Sequence, residues 1–469
     1  MVSPKPEAQY STLEVPYVEA QSHPPPQVNL DATASYDYPE AIKPDPVPTY
    51  GYGEPTDAQP LASTSNPARI CGLRRKVFLG VIAIIILIGI AVGVGLGVGL
   101  RHTTNETTPN ESKNSTGDTG TGTTVLRSTR LAAANFTDEF GNDNYLVIYQ
   151  RKNRAIYMSA FNSSEDKWIV SPVVDGTNGI SLDLVREGTG LGLDIYYQNE
   201  THRYLHLYFQ TPNNVIKNLF RNTISTSTTS SPKDWTSPFD YDIFTAMNGS
   251  SIRSYGRQCY NCMKSEYVFF QADSGGINGG YLPGKNEEGW ENRYFEDSPK
   301  ASNNTDIAVA SVAAVNGTRA IALFFRSESG VLTELAYKVD KYYETTTLPR
   351  GIGEKTAIAA FAAGFNETDS DNSNPLSIQV LTTDPDSDDG VLLTYLQDGD
   401  WVSGGEVTDL SDCSDRASMA STHDSRVYCV VESNGGVDIR EWAWRGNPSG
   451  ASSTFTSYET IGKVNTTGS

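Results

Sequence analysis

YLVIYQR at residues 145–151, YLHLYFQ at 204–210, EYVFFQ at 266–271, AIALFFR at 320–326, SIQVLTT at 377–383 and RVYCVVE at 426–432 are six versions of one strand. They recur at roughly 50 to 60 residues, are apolar or aromatic, and end at a polar or basic side chain. Each is followed by a short turn and a second alternating run: NRAIYMSAF, NNVIKNLF, GGINGGYL, GVLTELAY, GVLLTYL and GVDIREWAW. After four of these runs comes a tryptophan, at Trp168, Trp235, Trp290 and Trp401, and the fourth repeat has Tyr342 and Tyr343 at that place. Small-residue runs, LAAANF, IAVASVAAV and TAIAAFAAG, precede the hairpin in several repeats. Period-two patterning marks strands, long 3.6-period segments are lacking, and a fixed period of this length marks a radial array. Four strands per unit and six units predict an all-β, six-bladed β-propeller over residues 125–469, with the small first strands at the crowded axis. A β-sandwich would need fewer strands.

Outward from the repeats, residues 77–100 contain neither charge nor proline. As a helix rising about 1.5 Å per residue this segment is about 36 Å long, enough to cross a bilayer. It lies too far into the chain, and is too long, for a signal peptide, so it is read as a transmembrane helix that stays. Arg69, Arg74, Arg75 and Lys76 precede it while Arg101 stands nearly alone after it, which places the amino terminus in the cytoplasm. Asn-x-Ser/Thr triplets begin at Asn105, Asn110, Asn114, Asn135, Asn162, Asn199, Asn248, Asn303, Asn316, Asn366 and Asn465, all beyond the span, in agreement with that orientation. The chain is thus expected to be a single-pass type II membrane glycoprotein, with its propeller extracellular or lumenal.

Residues 1–76 are read as a disordered cytoplasmic tail ending in the basic cluster. Pro, Tyr, Ser and acidic side chains crowd it, and clustered aliphatics to offset the ordering entropy are missing. Within it, YSTL at 10–13 fits a sorting-adaptor pattern, and Cys71 beside the basic cluster is a candidate for acylation. The Thr-, Ser-, Asn- and Gly-rich segment 101–124 reads as a glycosylated stalk.

Four cysteines follow the stalk, an even number that in an oxidising compartment predicts two bridges: Cys259 with Cys262 as a tight loop clasp, and Cys413 with Cys429 across a hairpin. A zinc site would want two close-spaced pairs, and Cys413 and Cys429 are 16 residues apart. The histidines, His23, His102, His202, His206 and His423, are scattered without metal spacing. Nucleophile-elbow, zinc-protease and phosphate-loop motifs are missing, so neither catalysis nor a cofactor is expected. DPDSDDG at 384–390 carries its glycine one position late for a calcium loop and reads as a solvated turn. A formal net charge of −20 argues against nucleic acid.

The segment 426–444, RVYCVVESNGGVDIREWAW, resembles a blade of the fungal fucose-specific lectins typified by the orange-peel mushroom lectin, and the resemblance extends in pattern over all six repeats. It implies sites between adjacent blades, where an arginine and a glutamate hydrogen-bond fucose hydroxyls and aromatic rings cover the apolar face of the sugar. A charged donor beside a charged acceptor satisfies vicinal hydroxyls that both give and take hydrogen bonds. Carried onto this chain, both charged positions survive in the last repeat alone, as Arg426 and Glu441, with Trp442 or Trp444 as the stacking ring. The fourth repeat keeps Glu334 opposite Ala322; the others pair Leu146 with Met158, His206 with Asn218, Tyr267 with Gly279, and Gln379 with Thr394. Two readings of Arg426 and Glu441 stand side by side: a sugar clamp, and an ordinary cross-strand ion pair on a solvated hairpin. Three functions follow. The first is binding of fucosylated or other glycans, the second an adhesion or protein-interaction scaffold that has lost sugar binding, the third a sialidase-like glycoside hydrolase, which SPKDWTS at 231–237 supports poorly.

Overall fold

The protein is described from a computed structural model that covers residues 124–467 apart from 178, 200, 225–230, 238–243, 260–261, 283–289, 296–297, 316–317, 338–342, 365–375, 384–389, 414–417 and 434–435. It also describes a short antiparallel pairing of Arg69–Ile70 with Leu73–Arg74. The segment 77–100, and nearly all of the tail and stalk, lie outside these residues. Among the described residues no helix is long and apolar enough to cross a membrane.

Six four-stranded antiparallel sheets follow one another along the chain, as blades 1 to 6, over residues 132–174, 191–245, 252–294, 307–351, 358–406 and 419–463. Strands run outward in chain order, so the first strand of each blade is innermost, and these first strands pack against one another in a closed ring. The alanine-rich runs do take that place, as Ala132–Thr137, Ile307–Val315 and Ile358–Ala363. Crowding explains the composition: a Cβ on Gly190 would stand 2.4 Å from the carbonyl oxygen of Ser250 in the next blade.

The second strands are buried on both faces, which is why YLVIYQ reads as a nearly continuous apolar run. Between each adjacent pair of blades lies one apolar cluster, and each fully buried large side chain there contributes about 1.5–3 kcal/mol. The polar residue ending the second strand has a structural task in three blades. Gln150, Gln210 and Gln271 are fully buried, and their amides bind both their own hairpin turn and the lead-in turn of the next blade.

One ion pair on the axis touches all six blades. Arg253 of blade 3 donates to the carbonyl oxygens of Leu131, Leu191 and Met419, and to Asp306 Oδ1 of blade 4 at 3.4 Å. Asp306 in turn accepts from Ser251 and from the Ile358 amide of blade 5. The ring closes where blade 6 and the segment after it meet blade 1. Leu131 N donates to Ser418 Oγ, and Arg151 and Tyr149 donate to the carbonyl oxygen of Thr466.

Both predicted disulfides are present, Cys259–Cys262 and Cys413–Cys429. The second does not cross a hairpin: Cys413 ends the short helical segment Thr408–Cys413 between blades 5 and 6, and Cys429 lies on the second strand of blade 6. It ties the linker to the blade.

Of the glycosylation acceptors, Asn199, Asn248, Asn303 and Asn465 are exposed and Asn135 is half-buried. Asn162 is a correction. It is 6% exposed, and its Nδ2 donates to Asp138 Oδ2 and Asn144 Oδ1, which leaves no room for a sugar in this fold. Asn105, Asn110, Asn114, Asn316 and Asn366 lie outside the described residues.

Candidate functional site

Strand alternation decides which side chains of a blade face the next one. In blade 6, Tyr428 stands across from Glu441, so Arg426, Tyr428 and Glu441 share the face turned to blade 1. Arg426 Nη1 donates to Glu441 Oε1 at 2.9 Å, and Tyr428 Oη donates to the same oxygen at 3.1 Å. Blade 1 supplies the opposite wall. The Arg426 guanidinium lies 4.6 Å from the centre of the Tyr145 ring, whose hydroxyl donates to Asp424 Oδ2 at 2.6 Å. Phe161 and the half-buried Trp168 continue this wall, and Trp168 meets Tyr428 edge to face, with ring centres 6.4 Å apart.

The pair is therefore not on a solvated hairpin: the side chains are 20% and 5% exposed, in a cleft between blades. Burial pushes the Glu441 carboxyl up, and Arg426 and Tyr428 oppose it without cancelling it. Burial would push Arg426 down, but the surrounding Tyr145 and Glu441 outweigh it and hold the guanidinium charged. The result is a charged donor and a charged acceptor, kept together beside partly exposed rings. Such a set can hydrogen-bond adjacent hydroxyls of a polyol and cover its apolar side.

Trp442 and Trp444 are not the rings of this site. One residue beyond Glu441, Trp442 points to the other face, into the cluster shared with blade 5, and is 1% exposed. Trp444 lies on that same face, with Nε1 bonded to the carbonyl oxygen of Phe455. Blade 5 carries a related correction: Thr394 stands across from Val380 and accepts from Arg350 of blade 4, so the partner position facing blade 6 belongs to Leu393, across from Leu381.

Set in register, the six clefts alternate. Tyr428 meets Trp168 between blades 6 and 1, Tyr208 meets Trp290 between blades 2 and 3, and Phe324 meets Trp401 between blades 4 and 5, each edge to face. These three clefts hold Glu441, Asn218 and Glu334 at the glutamate position. Glu334 lies in the third, where its carboxylate accepts from Trp401 Nε1 at 3.0 Å while Ala322 fills the arginine position.

The cleft between blades 2 and 3 is chemically distinct. His206 takes the arginine position, Asn218 the glutamate position, and Glu266 enters from blade 3 to meet His206 Nδ1 at 2.9 Å. Burial would lower His206, but Glu266 and then Asp194 outweigh it and raise it to about 9. Asp194, across from His206 on the inner strand, is pushed up to about 7 by burial, with His206 opposing and Glu266 adding. Among the described residues, neither end of the Asn218 amide has a hydrogen-bond partner. Sequence reading passed over Asp194 and Glu266, because they come from an inner strand and a neighbouring blade. Spacing marks Trp168 as a repeat feature, and its place beside Tyr428 follows from ring closure across about 260 residues of chain.

No protein-family model matches this sequence, and neither does any curated protein. Solved structures do match. The Aleuria aurantia lectin bound to α-methyl-L-fucoside aligns over 73% of this chain and 97% of its own, at 13% identity and a TM-score of 0.54. AofleA from Arthrobotrys oligospora aligns over 74% and 89% at 13% identity and 0.53, and the SapL1 lectin, bound to α-methyl fucoside, over 73% and 99% at 15% identity and 0.51. What this chain shares with these lectins, one of them described as a six-bladed β-propeller with fucose recognition, is the fold.

Proposed function

We propose that this chain is a glycan-binding protein of the fucose-lectin type, held at a membrane by residues 77–100, and that its working site is the cleft between blades 6 and 1. The observation that carries the reading is the Arg426–Glu441 pair, 2.9 Å apart and set in an inter-blade cleft beside Tyr145 and Trp168. In this reading Arg426 donates to two sugar oxygens, Glu441 accepts from a hydroxyl, and Trp168 covers the apolar face. A binding role also fits the solved lectins that share the fold, two of which carry methyl fucoside. A second reading, an adhesion or protein-interaction scaffold, is favoured by one fact: both charged positions are filled in one cleft of the six. A glycan array probed with the full-length chain separates the two. Hits concentrated on fucosylated glycans are expected; an array without hits would overturn the lectin reading in favour of the scaffold.

A further inference from the structure

The turns that lead into the inner strands gather around one mouth of the propeller axis, and all six blades contribute to its lining, which encloses about 560 Å³. Four cations line it, Arg127, Arg130, Arg186 and Lys355, against one carboxylate, Glu187, in a chain whose formal net charge is −20. Basic charge is thus concentrated where the acidic excess of the chain is not.

Two details show that these cations are presented rather than scattered. Arg186 Nη1 donates to Asn214 Oδ1 at 2.9 Å, and its Nη2 is turned to Asn248 Oδ1. Both partners are neutral amide oxygens, which fix the direction of the guanidinium without cancelling its charge. The second detail is backbone conformation. The same turn position, left-handed in blades 2 to 5, is occupied by Gly188, Gly249, Asn304 and Lys355, at φ +66°, +78°, +57° and +61°. Glycine and asparagine take this conformation readily, whereas a lysine there costs roughly 1 kcal/mol or more. The strained position is the one that puts an ammonium group on the mouth.

We infer that this axial mouth is an anion-binding site, separate from the inter-blade cleft, for a small molecule bearing two or more oxyanion groups. The cavity is of the size that small-ligand sites have, about 300–1,000 Å³. Multivalency follows from the spread of the charges, with cations from blades 1, 2 and 5 facing one space. At the exposed rim Arg127 pairs with Glu432 at 2.7 Å, which offsets its charge there.

The test is calorimetry on the full-length chain, with inorganic pyrophosphate and citrate as probes and methyl glucoside as the neutral control. Binding of at least one anion is expected, weakening as sodium chloride rises from about 50 to 300 mM, since exposed charges are screened over about 10 Å or less. The tighter of the two arms identifies phosphate or carboxylate as the preferred group. The double variant R186E/K355E should bind at least about tenfold more weakly. K355Q, whose polar side chain is one atom shorter and which tests the same point without charge reversal, should lose about three- to tenfold. No binding of either anion at low salt, or equal affinity in K355Q and parent of unchanged melting temperature, would overturn the inference.

Discussion

The clefts between blades 6 and 1 and between blades 2 and 3 are built on one frame, a tyrosine of the second strand meeting a tryptophan of the next blade edge to face. They differ at two register positions and so in electrostatics. In the first, Arg426 and Glu441 belong to the same blade and pair at 2.9 Å, and Asp424, bonded to the Tyr145 hydroxyl and pushed up by burial, is a further buried acid. In the second, His206 and Asn218 cannot pair in this way, and the counter-charge for His206 comes from Glu266 across the cleft, with Asp194 left as an extra buried acid. Aromatic packing fixes where a cleft lies; the two polar positions decide whether its cation is an arginine paired within its own blade or a histidine whose partner acid comes from the neighbouring blade.

The largest effect that can test this geometry is on stability. Trp442→Ala should lose roughly 3–5 kcal/mol, the usual loss for truncating a large buried aromatic, because Trp442 fills the core between blades 5 and 6. Trp168→Ala, at the half-buried rim, should lose less than half of that in the same urea titration. Equal losses would place Trp168 in the core and dissolve the distinction between the two faces of blade 6.

Next comes the disulfide on the back of that blade. Cys429→Ser releases the loop closed from Cys413 and should lower stability by about 3 kcal/mol. A thermal scan with unchanged midpoint would show that the linker is held by packing alone.

The smaller effect is pH-dependent and separates the two clefts directly. Asp194 has its pKa raised to about 7, so the folded state keeps a proton that the unfolded chain releases, and stability falls as pH rises from about 4 to 7. His206, raised to about 9, contributes stability that is full below its ordinary value of 6.5 and is lost as pH rises through 9. Asp194→Asn removes the first of these losses. At pH 8 it should be more stable than the parent by roughly 1–3 kcal/mol, the scale of an unsatisfied buried polar group, and at pH 4 the difference should vanish. His423 works in the opposite sense: burial lowers it to about 4, so its contribution is lost as pH falls from 6.5 towards 4. A variant–parent difference that is flat between pH 4 and 8 would mean that Asp194 is not the titrating group.

Much of this was legible from residues. The alternating apolar hairpins and the alanine-rich first strands gave six blades and placed the axis, because those patterns are local and the strand period is two. The site was legible only along one strand pair. Arg426 and Glu441 could be aligned from spacing, yet the same period of two should have excluded Trp442, which sits one residue from Glu441 and so faces the other way. Blade 5 slipped by one residue because the segment 384–389 joins its central strands by a longer connection than the tight turns elsewhere, and spacing alone does not set register across it. Tyr145, Trp168 and Glu266 were beyond reach for another reason: each enters its cleft from a neighbouring blade, and only closure of the ring brings it there.

The central claim is that the arginine cleft, and not the histidine one, receives the sugar. Calorimetric titration of methyl α-L-fucoside into the parent chain, Arg426→Ala and His206→Ala tests it most directly. Arg426→Ala removes a charge-assisted donor and leaves Glu441 buried without its cation, so affinity should fall about ten- to a hundred-fold, or roughly 1.5–3 kcal/mol. His206→Ala should bind within about twofold of the parent. Fucoside binding that survives Arg426→Ala but is lost in His206→Ala would contradict the account and move the site to the cleft between blades 2 and 3.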